Sequence, residues 1–284
     1  MTHDGTLAPL EGTTLGNGKF QFNELLGGAR SQGIWSGWQV LPTRRDVLIG
    51  FRYSTPFKDE FLELVGCVVP GVAPLLYAGP LDTLPGMHAL VVARPPGDVV
   101  SAAPRLQPRE VVALGLSLCD TIIEWSSRGR ITAGLRPETV FVDGKSGNRR
   151  FAGTIPQMLV LLGNSNMYAP FPVACYDPPS ADIFVDIALD DEVFVVGLLL
   201  WYALLKEHPY QVPGHTHDYN NIWEDRRKPF SGGPPELGRL LEAVLVADPE
   251  RRMKAVELRD ELERLARTWG VELPPFPPPG LAAS

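Results

Sequence analysis

One short group of residues with metal-binding side chains stands out in this sequence. His215, His217 and Asp218 carry the imidazole and carboxylate groups that bind transition metals. No further His or Cys stands at ligand spacing from them, although a metal site needs additional ligands. The group therefore favours a solvated loop over a metal site.

The segment TAGLRPETVFV, residues 132–142, is the second candidate because it holds ionisable side chains in a constrained loop. Pro137 fixes its own φ angle and biases Arg136 toward an extended conformation. The alternating apolar residues that follow predict a strand. We expect a rigid loop, carrying Arg136 and Glu138, that leads into this strand.

The first part of the chain predicts a small α+β unit. Residues 1–18 are rich in Gly and Thr and lack periodicity, which favours a loose arm. β-Branched and aromatic residues between turn residues predict five strands, at 20–26, 33–41, 46–53, 72–79 and 87–93. Thr55 as N-cap and Pro56 at the first helical position predict one helix, which would end near Val68.

The remainder predicts a larger, mainly helical unit after the connector Pro95–Gly97. Residues 143–192 contain many Pro, Gly and Asn residues and predict an irregular surface region. The run from Glu192 to Leu205 is apolar on every side, so we expect protein to surround it. Together with this run, helical spacing of apolar residues predicts helices from Pro108 to near Gly129, at 236–247 and at 254–267.

Composition limits the classes of function. The chain has 284 residues, 44% of them hydrophobic, which suffices for a buried core. A net charge of −7 without a block of like charges argues against nucleic acid or an anionic membrane as partner. Cys67, Cys119 and Cys175 form no C-x-x-C pair and predict buried, reduced thiols. The first residues lack a secretory pattern, and the run Val193–Leu205 is shorter than the roughly 20 residues of a membrane-spanning helix. We expect a soluble cytoplasmic protein.

Five segments, in order, resemble motifs of protein kinases, most closely those of the bacterial eukaryotic-like Ser/Thr kinases. They are FKDEFLELVGCVVPGVAPLLYAG at 57–79, LVVARPPGDVV at 90–100, ITAGLRPETVFV at 131–142, EVFVVGLLLWYALLKEHPY at 192–210 and LEAVLVADPERRM at 241–253. They resemble, respectively, the αC helix with the strand after it, the hinge, the catalytic loop, the central helix of the large lobe and the D-P-x-x-R segment, with Arg252 at the arginine.

The resemblance implies a bilobal protein-kinase-like α+β fold. A small β-rich N-lobe with one helix would span residues 19–95, and a larger, mainly helical C-lobe would span 96–270. A flexible arm at 1–18 and a Pro-rich tail at 271–284 would flank the lobes. The PPFPPP sequence of the tail suits an aromatic groove on a partner domain, but a disordered tail is the favoured interpretation.

The resemblance also implies which positions should carry phosphoryl transfer, and these positions are changed. A kinase needs a base aspartate, an asparagine and a second aspartate that hold Mg²⁺, and a hinge N–H for adenine. Gly134 stands at the base, Thr139 at the asparagine and Ala152 in the segment of the second aspartate. Pro95, at the hinge, has no N–H. We therefore expect no cofactor, neither ATP nor Mg²⁺.

Three charged residues remain at cleft positions of the family. Arg52 replaces the strand lysine, Glu60 aligns with the αC glutamate and Arg136 replaces the lysine of the catalytic loop. The planar guanidinium of Arg52 is not equivalent to an ammonium, and its separation from Glu60 along the chain is short, so an ion pair between them is in doubt. The three side chains would still suit an anion site without a metal.

The sequence leads to the hypothesis of a catalytically inactive kinase-like protein, or pseudokinase, that binds another protein as a scaffold or allosteric regulator in bacterial signalling. Two alternatives stay open. One is a sensor of nucleotides or small ligands, or an unorthodox transferase, that uses the degenerate cleft; the other is a purely structural subunit. Trp35 and Trp38 should lie on opposite faces of a strand, and an exposed one would suit a protein partner.

Overall fold

The computed structural model describes residues 10–29, 32–53, 65–81, 83–128, 135–155, 189–210 and 227–278. In this part the chain is an α+β protein with a curled antiparallel sheet, a smaller three-stranded sheet and four α-helices. The predicted α+β class is confirmed at this level.

The larger sheet accounts for the five predicted strands and adds a short one. Its strands are β1 Thr14–Leu15, β2 Phe20–Ala29, β3 Gln32–Gln39, β4 Arg45–Tyr53, β5 Leu75–Pro80 and β6 Met87–Ala93. All neighbours pair antiparallel, in the order β1-β2-β3-β4-β6-β5. The register of β2 against β3 shifts between Phe22 and Glu24 and between Leu25 and Gly27. Such bulges bend and twist a strand, which contributes to the curl of the sheet.

The two tryptophans of β3 lie on opposite faces of this sheet, as predicted. Trp35 is 1% exposed, and its ring meets Phe22 edge-on with the centroids 5.7 Å apart. Trp38 is half-buried, and the guanidinium of Arg44 lies 5.3 Å from the centroid of its ring. Trp35 therefore belongs to the core, whereas Trp38 lies at the surface and is partly covered by the guanidinium of Arg44.

The predicted loose arm differs from the structure over residues 10–18. There β1 pairs with β2, and the side chains of Leu10 and Leu15 are buried against the sheet. Removing these apolar side chains from water favours the packed position. The Gly-rich composition concealed two anchoring leucines.

The predicted helix that ends near Val68 also differs at its end. Val65 forms a parallel bridge with Leu75, and Gly66 has a φ of 81°. This left-handed conformation is one that glycine adopts readily and other residues avoid. Residues 65–68 are therefore not helical, and the rest of the predicted helix, 56–64, lies outside the described residues.

The smaller sheet consists of β7 Asp98–Val99, β8 Val140–Asp143 and β9 Arg150–Thr154, paired antiparallel in that order. The strand after Pro137 is confirmed as β8, whereas β9 falls in the region predicted to be irregular. Backbone bonds tie β9 to the segment before β5: Ala73 N–H donates to Thr154 O at 2.7 Å, and Thr154 N–H donates to Gly71 O at 2.9 Å.

Helices confirm the pattern predicted for the second half of the chain. They are α1 Pro108–Ser127, α2 Leu189–Leu205, α3 Pro235–Val244 and α4 Ala255–Trp269. From Glu192 to Leu205 every residue of α2 is buried, as its uniform hydrophobicity predicts. Gly197 permits this packing, because a Cβ there would lie 2.6 Å from Val244 Cγ1.

The cysteines divide between core and surface. Cys119 is buried as predicted, and burial raises the pKa of its thiol. Cys67 is exposed, so the prediction of a buried thiol is wrong there; it follows the Gly66 turn rather than a packed helix. Cys175 lies outside the described residues. Within the described ranges, no helix combines the length and hydropathy needed to cross a bilayer.

Candidate functional site

The loop that leads into β8 is held by backbone hydrogen bonds from several sides. Within the loop, Thr139 N–H donates to Arg136 O at 3.0 Å. Ser101 N–H donates to Pro137 O at 2.8 Å, and Ile155 N–H donates to Thr139 O at 2.9 Å. The fixed φ of Pro137 suits this turn. The segment is therefore a tight turn joined to the chain before α1 and to the end of β9.

Thr139 is fully buried, and its hydroxyl is used inside this turn. Its Oγ1 accepts a hydrogen bond from Arg136 N–H at 2.9 Å and donates to Arg136 O at 3.1 Å. A threonine hydroxyl has one proton and two lone pairs, so these bonds use its donor and one acceptor. Thr139 thus acts as a turn-forming residue with little capacity left for another ligand.

Ala152 belongs to a buried apolar cluster between the two sheets, which we call the sheet interface. Each of its members is at most 8% exposed. The members are Ile34, Leu48, Ala73, Leu75, Leu90 and Val92 on the side of the larger sheet, and Val99, Phe141, Ala152 and Ile155 on the side of the smaller one. Hydrophobic burial stabilises such a cluster by about 25 cal/mol per Å² of apolar surface removed from water.

Two charged residues of the loop are also buried. Arg136 and Glu138 are 3% and 8% exposed. Burial raises the pKa of Glu138 to about 7, although a backbone hydrogen bond and the charge of Arg136 act in the opposite direction. Its Oε1 has no hydrogen-bond partner in the described part of the chain. Glu138 therefore titrates near neutral pH.

The end of α2 adds two polar groups that the sequence reasoning missed. Burial, and then the nearby Glu138 carboxylate, raise the pKa of Tyr202. Lys206 has a φ of 57°, and its Nζ donates to Val100 O at 2.5 Å and lies 5.0 Å from the centroid of the Tyr202 ring. Burial, with Arg149 nearby, lowers the pKa of Lys206 to about 8. The sequence signal was a lysine placed directly after the apolar run Val193–Leu205.

The structure brings some predicted site residues together and leaves others aside. Arg136 and Thr139 share one hydrogen-bonded turn, and Thr139 O accepts from the end of β9, the strand that carries Ala152. Arg52 lies in β4, where its backbone is paired with that of His88 in β6. An anion site that includes it stays a prediction. Outside the described residues lie Gly134, Glu60, His215, His217 and Asp218.

The connector between β6 and β7 has little conformational freedom. Pro95 is buried and has no N–H to offer a ligand. Gly97 has a φ of 80°, and a Cβ there would overlap Val142 O, so glycine alone suits this position. The connector is thereby pressed against β8.

Arg252, the arginine singled out in the sequence, is buried near α2. Its Nε donates to Val246 O at 2.9 Å and one terminal nitrogen donates to Ala247 O at 3.0 Å. The guanidinium lies 5.0 Å from the centroid of the Phe194 ring. Backbone carbonyls and an aromatic ring therefore help to hold this charge in the core.

Among the described residues, no group of three or more His, Cys, Asp or Glu side chains is arranged to hold a metal ion. A scan of the chain against protein-family models gives no match, and a search of curated proteins gives none either.

Proposed function

We propose that this chain is a catalytically inactive protein-kinase-like protein that acts by binding another protein as a scaffold or allosteric regulator. Its lobes would be residues 19–95 and 96–270, joined at Pro95–Gly97. The order of elements supports this arrangement: an antiparallel sheet is followed by a connector, the long helix α1, a loop with a strand, and the buried helix α2. The kinase-like segments at 90–100 and 192–210, and the described part of 131–142, correspond to the connector, the buried helix and the loop with its strand.

The sheet interface is the observation that carries the proposal. In a kinase, the nucleotide lies in the cleft between the lobes, beside the hinge. In this chain the proposed lobes meet through apolar side chains, with Leu48 and Val92 on one side and Phe141 and Ala152 on the other. Protein interiors are packed to the density of organic crystals, so a purine would have to displace these side chains.

The positions of the lost chemistry give a second line of support. Phosphoryl transfer depends on bound metal ions and on charge neutralisation around the phosphates. Thr139 uses its hydroxyl within its own turn, and Ala152 places a methyl group where the family has a carboxylate. Neither offers the carboxylate oxygen that Mg²⁺ prefers.

A surface feature supports a protein partner. Trp38, covered on one side by Arg44, lies close in sequence to the exposed residues Val40 and Leu41. Tryptophan and arginine are enriched among the residues that dominate protein–protein binding. This corner of the larger sheet is suited to recognition by another protein.

The experiment that tests the proposal is an assay of phosphoryl transfer. The purified chain is incubated with labelled ATP and either Mg²⁺ or Mn²⁺, alone and with general protein substrates. We expect no transfer by the wild type. Arg128→Ala, which removes an exposed arginine of an i,i+4 pair, is the matched control for Arg52→Ala. Transfer that Arg52→Ala or Glu60→Ala abolishes, and Arg128→Ala preserves, would overturn the proposal.

A further inference from the structure

The segment after α4 passes beside the β8–β9 hairpin. Gly270 has a φ of 63°, Gly270 N–H donates to Arg267 O at 3.3 Å, and Val271 N–H donates to Ala266 O at 2.8 Å. These two bonds form a Schellman motif, which ends the helix and redirects the chain. We call residues 271–278 the strap; they contain neither helix nor strand.

The strap lies over the hairpin and leaves space beneath it. The carboxylate of Glu272 pairs with Arg150 of β9 at 2.7 Å. Pro274 and Pro275 line a cavity of about 270 Å³. The other lining residues are Pro96, Asp143, Gly144, Asn148, Arg150, Phe151 and Ala152. One water molecule takes about 30 Å³ in the liquid, so this space far exceeds the gaps of a close-packed contact.

The first residues of the strap make largely exposed contacts. The side chain of Glu272 is 78% exposed, and Leu273 is 50% exposed. An exposed ion pair shifts an equilibrium by about fivefold at most. Val271 packs against the core of the helical part and fixes the start of the strap. Farther along the strap, Pro275 is exposed, Pro274 and Phe276 are half-buried and Pro278 is buried. Proline-rich chains lose little conformational entropy on docking, so such a segment can occupy a groove through few contacts.

We propose that the groove formed by the connector and the β8–β9 hairpin, called the strap groove, recognises an extended proline-rich segment of a partner protein. The strap occupies this groove in cis as an autoinhibitory contact. The partner segment carries a carboxylate for Arg150 and, where the strap has Pro274–Pro275, an apolar side chain that fills the cavity better. This inference rests on the proposed protein-binding function and adds the chemistry of the partner segment.

The test measures binding of a fluorescent peptide with the sequence of residues 270–279, GVELPPFPPP, to full-length chains. A tethered strap competes at an effective concentration on the order of millimolar. Glu272→Arg places like charges beside Arg150 on an exposed side chain, so the fold is retained. We expect this variant to bind the peptide about threefold to fivefold more tightly than the wild type, and Glu272→Arg/Pro274→Gly/Pro275→Gly at least about tenfold more tightly.

A charge swap provides the matched control. In the chain Arg150→Glu/Glu272→Arg the cis ion pair is restored with reversed charges, so binding of the peptide should fall back to the wild-type level or below. A peptide with Leu in place of Pro275 should bind roughly fourfold more tightly, because it buries more apolar surface in the cavity. Both results would support the strap groove.

Three results would overturn it. Absence of binding to the folded triple variant would show that the groove recognises no such segment. Equal affinities for wild type and triple variant would place the peptide elsewhere. A wild-type dimer that the triple variant converts to a monomer would assign the occupant to a second copy. None of these results concerns phosphoryl transfer. The binding experiment can therefore overturn the strap-groove proposal while the proposed lack of catalysis stands, and the phosphoryl-transfer assay can overturn the latter while the strap-groove proposal stands.

Discussion

The β8–β9 hairpin separates two regions that are closed in different ways. Toward the larger sheet, its residues enter the sheet interface, where each member is at most 8% exposed. Toward α4, the strap covers it above a cavity of about 270 Å³. Side chains of the folded core close the first region, and a chain segment with exposed contacts closes the second.

This difference indicates which of the two regions can open to a ligand. A cluster packed as tightly as the sheet interface opens only at the expense of global stability. Beyond Val271 the strap is held by an exposed ion pair and a few partly or fully buried residues, so we expect it to leave its groove without unfolding the domain. The predictions below test this contrast, beginning with the largest effect.

Phe141→Ala should break the sheet interface. The substitution removes a buried ring and leaves a cavity, so we expect the free energy of unfolding to fall by about 3–5 kcal/mol. Urea titration followed by circular dichroism measures the change. Leu273→Ala, on the exposed strap, is the control and should stay within about 0.5 kcal/mol of wild type. Similar decreases in unfolding free energy for both variants would show that the sheet interface and the strap do not differ in stability.

Glu138→Gln tests the buried charge in the loop that leads into β8, next to the sheet interface. Folding raises the pKa of Glu138 from 4.5 to about 7, so the folded state holds the proton more tightly. The free energy of unfolding should therefore fall as the pH rises through this interval, by roughly 3 kcal/mol at about 1.4 kcal/mol per pH unit.

The measurement is the stability difference between variant and wild type from pH 5 to pH 8. Glu138→Gln should become more stable than wild type toward pH 8, because the amide has no charge to bury. Glu236→Gln, on the exposed start of α3, controls for the loss of one carboxylate. If both variants track the wild type at every pH, the account of Glu138 is wrong.

Thr139→Ala should loosen the turn before β8. It removes the hydroxyl that accepts from Arg136 N–H, and a buried donor deprived of its acceptor costs about 1–3 kcal/mol. Thr139→Ser keeps the hydroxyl and should recover most of the stability. Thermal unfolding of the two variants side by side is the measurement, and an equal loss for both would refute the turn-forming role.

Arg150→Ala should have the smallest effect. It removes the exposed pair with Glu272, and we expect a change in unfolding free energy of about 0–1 kcal/mol. Hydrogen exchange of the strap amides should nevertheless accelerate, because local release requires less energy than global unfolding. Unchanged exchange would indicate that the strap is held by something other than this pair.

The sequence predicted what periodicity controls. Five of the six strands of the larger sheet, β2 to β6, and the four helices follow from alternation and helical spacing of apolar residues. It missed β9, whose five residues stand among Gly, Ser and Asn, since pairing with β8 and with the segment at Gly71 stabilises that strand. Tertiary pairing of this kind leaves no local signal.

Within the candidate site, residue types at Thr139 and Ala152 could be read from the kinase-like motif, but their surroundings could not. The burial of Glu138 and the hydrogen bond from Lys206 Nζ to Val100 O depend on contacts between elements that are far apart in the chain. The strap appeared in the sequence as a Pro-rich tail. Its position follows from the cap at Gly270 and the pair with Arg150, which only the folded chain brings together.

We propose that the fold resembles a kinase cleft in which the chain's own side chains fill the place of the nucleotide. Calorimetric titration of the full chain with ATP and Mg²⁺ tests it most directly. The account predicts no saturable heat up to millimolar nucleotide and no shift in unfolding temperature. Saturable binding of one nucleotide per chain, with a stabilisation near 2.7 kcal/mol at one hundred times Kd, would contradict it.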